Sequence, residues 1–219
     1  MKIKVCGMRQ AANIAEVGAL PIHFMGFIFY EKSPRFVVDA IESLRSCPDD
    51  LTRVGVFVNA DIDFVLDKII AFELNAVQLH GSETPLYVHD LAVMMWKKHK
   101  IQPHVEVEII KAFSVDEHFD FNKTKDYEGL VNYFLFDTKT PQYGGAGVKF
   151  DWTILEKYTG ETPFLLAGGI TEHDVDAVLL LQNKLPQLYG LDLNSKFEIE
   201  PALKDVEKLR GFIEKVLRY

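Results

Sequence analysis

Short apolar runs alternate with stretches of helical periodicity from one end of the chain to the other. Eight runs read as strands: Ile3–Gly7, His23–Phe29, Thr52–Val58, Ala76–His80, Val107–Phe113, Tyr133–Asp137, Phe164–Ala167 and Leu188–Leu193. Some, such as Phe134-Leu135-Phe136 and Phe164-Leu165-Leu166-Ala167, are continuously apolar, the pattern of strands buried on both faces of a parallel sheet. Between the runs the period changes. Ile62, Val65, Leu66, Ile69 and Ile70 follow the i, i+3, i+4, i+7, i+8 rule and predict an amphipathic helix over Asp61–Phe72. Val206, Leu209, Ile213, Val216 and Leu217 predict another at the end of the chain. Start signals accompany these patterns: Thr171 with Asp174 reads as a capping box, Thr84-Pro85 places proline at a first helical position, and Pro201 is expected to open the last helix. The polar stretch Lys97–Glu108 reads as a surface connection.

Eight strand–helix units in 219 residues, with no linker and no shift of composition, predict an α/β protein: a single (β/α)8 TIM barrel domain over residues 1–219. Such barrels run to about 250 residues and can be as short as about 200. An open doubly wound sheet is the alternative that periodicity leaves standing. Both folds put their functional residues where strands end and helices begin.

Composition narrows the function. The formal net charge of −8 supplies no basic face for a polyanion, so nucleic acid is not an expected partner. A small anion remains compatible, because a few oriented donors make a local positive site on an acidic surface. Cys6 and Cys47 fall far short of a disulfide framework and read as free thiols. The chain enters a strand pattern at once, without the features of a signal peptide, and no run approaches the ~18 apolar residues of a membrane helix. The expectation is a cytoplasmic protein with no membrane partner, acting as a monomer or homodimer.

The strand ends carry the candidate chemistry. Phe134-Leu135-Phe136 delivers the carboxylate of Asp137 to a strand end, followed by a glycine-rich loop containing Gly144, Gly145 and Gly147 and a helix start at Asp151. A carboxylate beside backbone N–H groups free of Cβ crowding suits acid–base chemistry on a phosphorylated molecule, although aspartate at a strand end is also a common turn residue. Cys6 ends the first strand; as a thiolate it would be a base, as a thiol a small buried hydrophobe. Arg35 follows the second strand, where its guanidinium could grip a carboxylate through two parallel hydrogen bonds or form a surface ion pair. Gln78 and His80 close the fourth strand as wall residues. Gly168 and Gly169 end the seventh, and Asp192, Asn194 and Ser195 end the eighth, where barrel enzymes frequently hold phosphate.

With these residues placed, the sequence resembles the phosphoribosylanthranilate isomerase family of tryptophan biosynthesis. The likeness rests on Lys2-Ile-Lys-Val-Cys6-Gly7-Met, Gly26-Phe-Ile-Phe-Tyr-Glu-Lys-Ser-Pro34-Arg35-Phe36, Val54-Gly-Val-Phe-Val58-Asn59, Val77-Gln78-Leu-His80-Gly81, Phe136-Asp137 with Gly144-Gly145-Ala-Gly147, Leu166-Ala-Gly168-Gly169-Ile170 and Gly190-Leu-Asp192. It implies a (β/α)8 barrel catalysing a cofactor-free Amadori rearrangement. Asp137 would be the acid that opens the furanose, and Cys6 the base that takes the C2′ proton. Arg35 and Asp192 would orient the anthranilate, and the loops around Gly145, Gly169 and Ser195 would hold the phosphate. Ring opening leaves an iminium that acidifies C2′, so the substrate supplies its own electron sink and no metal is required. Where relatives commonly carry two small residues and a glycine after the eighth strand, this chain has Asn194-Ser195-Lys196-Phe197.

Two other readings share the fold. Lys111, in the apolar fifth strand, would serve a lyase as a Schiff-base nucleophile. A phosphate-ligand binder without catalysis would keep the barrel and the anion loops alone.

Overall fold

The structure, a computed structural model, describes residues 1–37, 41–99, 107–138 and 151–218. Among them eight parallel strands form a closed barrel in sequence order: β1 (Lys2–Cys6), β2 (Phe24–Ile28), β3 (Thr52–Phe57), β4 (Ala76–Leu79), β5 (Glu108–Val115), β6 (Tyr133–Thr138), β7 (Phe164–Leu166) and β8 (Leu188–Leu193). Closure is made by β1 on β8, with Lys4 opposite Asp192. The open-sheet alternative is thereby excluded. The helices are α1 (Ala11–Gly18), α2 (Ile41–Leu44), α3 (Ile62–Ala71), α4 (Pro85–His99), α5 (Val175–Lys184) and α6 (Val206–Leu217). Single 3₁₀ turns, Phe121–Tyr127 and Trp152–Lys157, stand after β5 and β6. A short hairpin, β9 (Glu198–Glu200) and β10 (Leu203–Lys204), is inserted between β8 and α6.

Alternation along the strands divides the apolar residues into two layers. Phe24, Val54, Ala76, Ile110, Ala112, Leu135, Leu165 and Ala167 pack together inside the barrel. Their neighbours, among them Ile3, Val5, Val77, Leu79, Phe134, Phe136, Leu191 and Leu193, face outward into a larger core beneath the helices. Because Ile3 and Val5 point out, Lys4 and Cys6 point in. The same argument turns Gln78, Asp137 and Asp192 toward the barrel axis, since each lies between two outward-facing residues or continues that alternation.

Several start signals act as read, and others do not. Thr84 Oγ1 accepts from Tyr87 N (3.2 Å) ahead of α4, Asp61 precedes α3, and Asp151 accepts from Thr153 N (3.0 Å) at the turn after β6. Thr171 and Asp174 do bond, Thr171 N and Oγ1 both donating to Asp174 Oδ2 (2.8 and 2.9 Å), but they form a separate turn and α5 starts only at Val175. Pro201 does not open α6. It lies in the β9–β10 turn beside Ala202, whose φ is 69°, and α6 is capped by Asp205, which accepts from Lys208 N at 3.0 Å. Proline serves turns as readily as helix starts, and the acid at the cap position decides. Of the polar connection expected over Lys97–Glu108, residues 100–106 lie outside the described residues; at its ends α4 runs to His99 and Glu108 already belongs to β5.

Candidate active site

The C-terminal ends of β1, β8 and β6 bring three of the sequence candidates into one electrostatic neighbourhood. Cys6 ends β1 and is 3% exposed. Beside it on β2 stands Gly26, where a Cβ would come within 2.7 Å of the sulfur; glycine there leaves the room Sγ occupies. Burial pushes the Cys6 thiol up, and the Lys4 ammonium, two residues earlier on the same inward face, pulls it only part of the way back, leaving it raised. Lys4 is fully buried with its Nζ 3.0 Å from Asp192 Oδ2. Burial alone would lower the lysine, yet the Asp192 carboxylate, with Cys6 behind it, outweighs that and holds Lys4 above its ordinary range. The remaining Asp192 oxygen, Oδ1, is buried and has no hydrogen-bond partner among the described residues. An acceptor left open in a site costs stability and marks a place where a ligand can donate.

Asp192 is pushed up by burial, is pulled back by Lys4, and also feels Asp137 and His80. That coupling joins the β1–β8 end of the mouth to β6. Asp137 is less enclosed than Cys6, its side chain 16% exposed. Its Oδ1 accepts from Thr138 N (2.8 Å), and its Oδ2 lies 3.3 Å from His80 Nε2. Gln78 Nε2 is 2.7 Å from His80 Nδ1. With the amide donating, Nδ1 accepts and the ring proton falls on Nε2, facing Asp137. Gln78, His80 and Asp137 thus form one chain of side-chain contacts along the wall.

Gly168 and Gly169 both have positive φ, 87° and 68°. At Gly168 a Cβ would run into Thr138 Oγ1 and come within 2.5 Å of Thr138 N and 2.8 Å of Asp137 Oδ1. The turn after β7 therefore rests directly on Asp137 and Thr138. Gly168→Ala is expected to cost about 1–3 kcal/mol of stability and to lower kcat by displacing Asp137. Denaturant unfolding alongside steady-state kinetics checks both effects.

Arg35 is buried, and its partner is Glu198 of β9: Nε donates at 2.8 and 3.1 Å to the two carboxylate oxygens, and Nη2 donates to Oε2 at 2.6 Å. It is neither a surface pair nor a free side chain. Gly7, with φ of 80°, sits between the Arg35 stem and Asn194, a Cβ there falling 2.6 Å from Arg35 Cδ and 2.9 Å from Asn194 Oδ1. Cys6, Arg35 and Asn194 consequently converge on the same loop end. Asn194 Oδ1 accepts from Lys204 Nζ at 2.7 Å, and Ser195 begins a short 3₁₀ turn. Gly145, and the loop that carries it, lie outside the described residues.

Lys111 is placed away from this site. Ile110 and Ala112 face the barrel interior, so Lys111 points out. Its Nζ donates to Gly81 O (2.8 Å), Glu83 Oε2 (3.0 Å), Ala112 O (3.1 Å) and Leu79 O (3.2 Å). An amine so engaged on the helix side of β5 is no nucleophile for a substrate in the mouth, and the lyase reading loses its residue. Sequence reasoning missed three side chains here. Lys4 was findable, because strict alternation puts it on the face of Cys6. Glu198 and Lys204 sit in an irregular insertion that carries no periodic signal.

Among the described residues no helix is long and apolar enough to cross a membrane, and no three His, Cys, Asp or Glu residues are grouped to hold a metal ion. Residues 3–215 match the family model described as N-(5'phosphoribosyl)anthranilate (PRA) isomerase. A protein of Parabacteroides distasonis named N-(5'-phosphoribosyl)anthranilate isomerase is 47% identical over 99% of this chain and 94% of its own length. The crystal structure of phosphoribosyl anthranilate isomerase from Thermotoga maritima superposes with a TM-score of 0.81 at 30% identity, covering all of both chains. Another phosphoribosyl anthranilate isomerase, solved in complex with reduced 1-(o-carboxyphenylamino)-1-deoxyribulose 5-phosphate, gives 0.78 at 25% identity, again over all of both chains.

Proposed function

The chain belongs to the N-(5'-phosphoribosyl)anthranilate isomerase family and carries out that isomerisation in tryptophan biosynthesis; from this premise we propose how its own residues divide the work. Asp137 is the general acid. It protonates the furanose oxygen, the C1′–O bond breaks, and the anilino nitrogen's lone pair forms the iminium. Cys6, as thiolate, takes the C2′ proton; the C–H electrons move toward the iminium and give an enolamine, which tautomerises to the aminoketose.

Lys4 supports the base. A fully buried sulfur ionises only beside a positive charge, and the Lys4 ammonium supplies it while Asp192 keeps that ammonium charged. Asp192 also has Oδ1 open to accept from the substrate's anilino N–H. Arg35 grips the anthranilate carboxylate with the fork edge that Glu198 leaves, and the turns at Gly168-Gly169 and Asn194-Ser195 hold the phosphate, joined by the loop around Gly145. Two positioned acid–base groups typically contribute 10²–10⁴-fold each, about 3–5 kcal/mol of barrier apiece.

The observation that carries this assignment is that alternation turns Cys6, Lys4, Asp192 and Asp137 inward on β1, β8 and β6, with Lys4 Nζ 3.0 Å from Asp192 Oδ2. The direct test is the loss of phosphoribosyl anthranilate fluorescence on adding purified protein; an inactive, folded protein rejects it. Lys4→Met tests the charge beneath the base. Removing the ammonium takes away the larger of the two cations that oppose burial, Lys204 being the other, and raises the Cys6 thiol further, so the limb of kcat that rises with pH as the thiolate forms should move to higher pH. An unmoved limb in a folded variant takes Lys4 out of that role.

A further inference from the structure

We propose that Glu198 and Lys204, on the hairpin after β8, are positioning residues that aim Arg35 at the substrate carboxylate and tie it to the phosphate turn at Asn194. The inference rests on the reading of Arg35 and Asn194 given above.

Glu198 engages Arg35 through Nε and Nη2 together, which fixes the plane of the guanidinium as well as its position. One edge of the fork is filled, and a second carboxylate can be met in parallel only along the Nη1–Nη2 edge. Glu198 is itself held. Its Oε1 accepts from Lys204 Nζ (2.6 Å) and from Ala202 N (3.2 Å), the residue at the left-handed turn of the hairpin. The pair is enclosed, with Arg35 and Glu198 side chains 9% and 4% exposed.

Lys204 reaches two ways from a fully enclosed position. Its Nζ donates to Glu198 and to Asn194 Oδ1, so one ammonium spans the distance between the carboxylate grip and the phosphate turn. Its main chain is locked from the other side: Lys204 N donates to Asn13 Oδ1 at 2.7 Å, and Asn13 Nδ2 donates to Lys204 O at 3.0 Å. The hairpin is thus fastened to α1, on the first barrel unit. Burial pulls the Lys204 ammonium down to about 8, with Glu198 opposing the fall, which leaves it charged at neutral pH. Two cations and one carboxylate leave a positive excess, as a substrate anionic at both ends requires. Neither residue needs to touch the reacting atoms; their effect passes through Arg35 and Asn194.

The test uses the full chain and phosphoribosyl anthranilate as substrate. Glu198→Gln is expected to raise KM about tenfold, the scale of one charge-assisted hydrogen bond, with kcat within about threefold of the parent. Glu198→Asp should recover part of the loss. For the phosphoribosyl adduct of aniline, which lacks the carboxylate, the parent and Glu198→Gln should have the same KM. Lys204→Met should raise KM and also weaken inorganic phosphate as a competitive inhibitor. Since a buried Arg35 without its partner can impair folding, the double variant Arg35→Ala with Glu198→Gln removes both charges: if Glu198 works only through Arg35, its KM equals that of Arg35→Ala alone. Additive KM losses, an equal loss with the aniline adduct, or folded single variants with parental KM and phosphate inhibition would each overturn the proposal. A parent enzyme that does not turn over the substrate would instead refute the functional reading on which it stands.

Discussion

Cys6→Ala should lower kcat at least about 10²-fold while KM stays within about threefold. The substitution removes the sulfur and little else: the side chain is small, Gly26 already leaves space beside it, β1 pairs with β2 through the backbone, and Sγ interacts with the Lys4 ammonium, which keeps Asp192. The barrel should close and bind as before. What is lost is the acceptor for the C2′ proton, and alanine offers nothing in its place. Cys6→Ser is the informative companion, because a hydroxyl fills the same volume but does not ionise at this pH even over Lys4. Turnover near that of the parent in a folded Cys6→Ala protein would assign the base elsewhere on the mouth, and Asp192, with its open oxygen, would be the next candidate.

Asp137→Asn should cost a similar factor in kcat for the opposite reason, the loss of a proton rather than of its acceptor. The amide is isosteric with the carboxyl group. Its one oxygen can still accept from Thr138 N, so the packing of Gly168 has no cause to move; the amide NH2 then faces His80 Nε2, which meets it by taking the other tautomer. An unchanged melting temperature with a collapsed kcat is therefore the expected pair of results, read by thermal unfolding and by the fluorescence assay. Retained turnover would show that the ring oxygen takes its proton from another donor.

Much of this was legible from the chain alone, for reasons that differ by element. The eight strands were, because buried parallel strands must be apolar on both faces and the helices between them on one. Cys6 and Asp137 were legible as strand-end side chains on the inward face, because alternation turns them toward the axis; their roles as base and acid came from the resemblance and are the proposal made above. Arg35 was found but its company was not: Glu198 lies 163 residues away in a hairpin without periodicity, and a bidentate pair leaves no local trace. Pro201 misled because one residue type serves two kinds of backbone. Lys111 misled because a lysine in an apolar strand reads the same whether it turns toward the axis or toward the helices, and only the register of its neighbours decides.

The pairing of Lys4 with Asp192 ties chemistry to the order in which the molecule assembles. Those two residues become neighbours only when the opening strand meets the final one, a juncture of high sequence separation and hence of high loop-closure cost. An arc of seven strands would leave Cys6 open to solvent as an ordinary thiol, whereas the closed ring covers it, so the fall in the rate at which alkylating reagents attack that sulfur during refolding is a clock for completion of the ring.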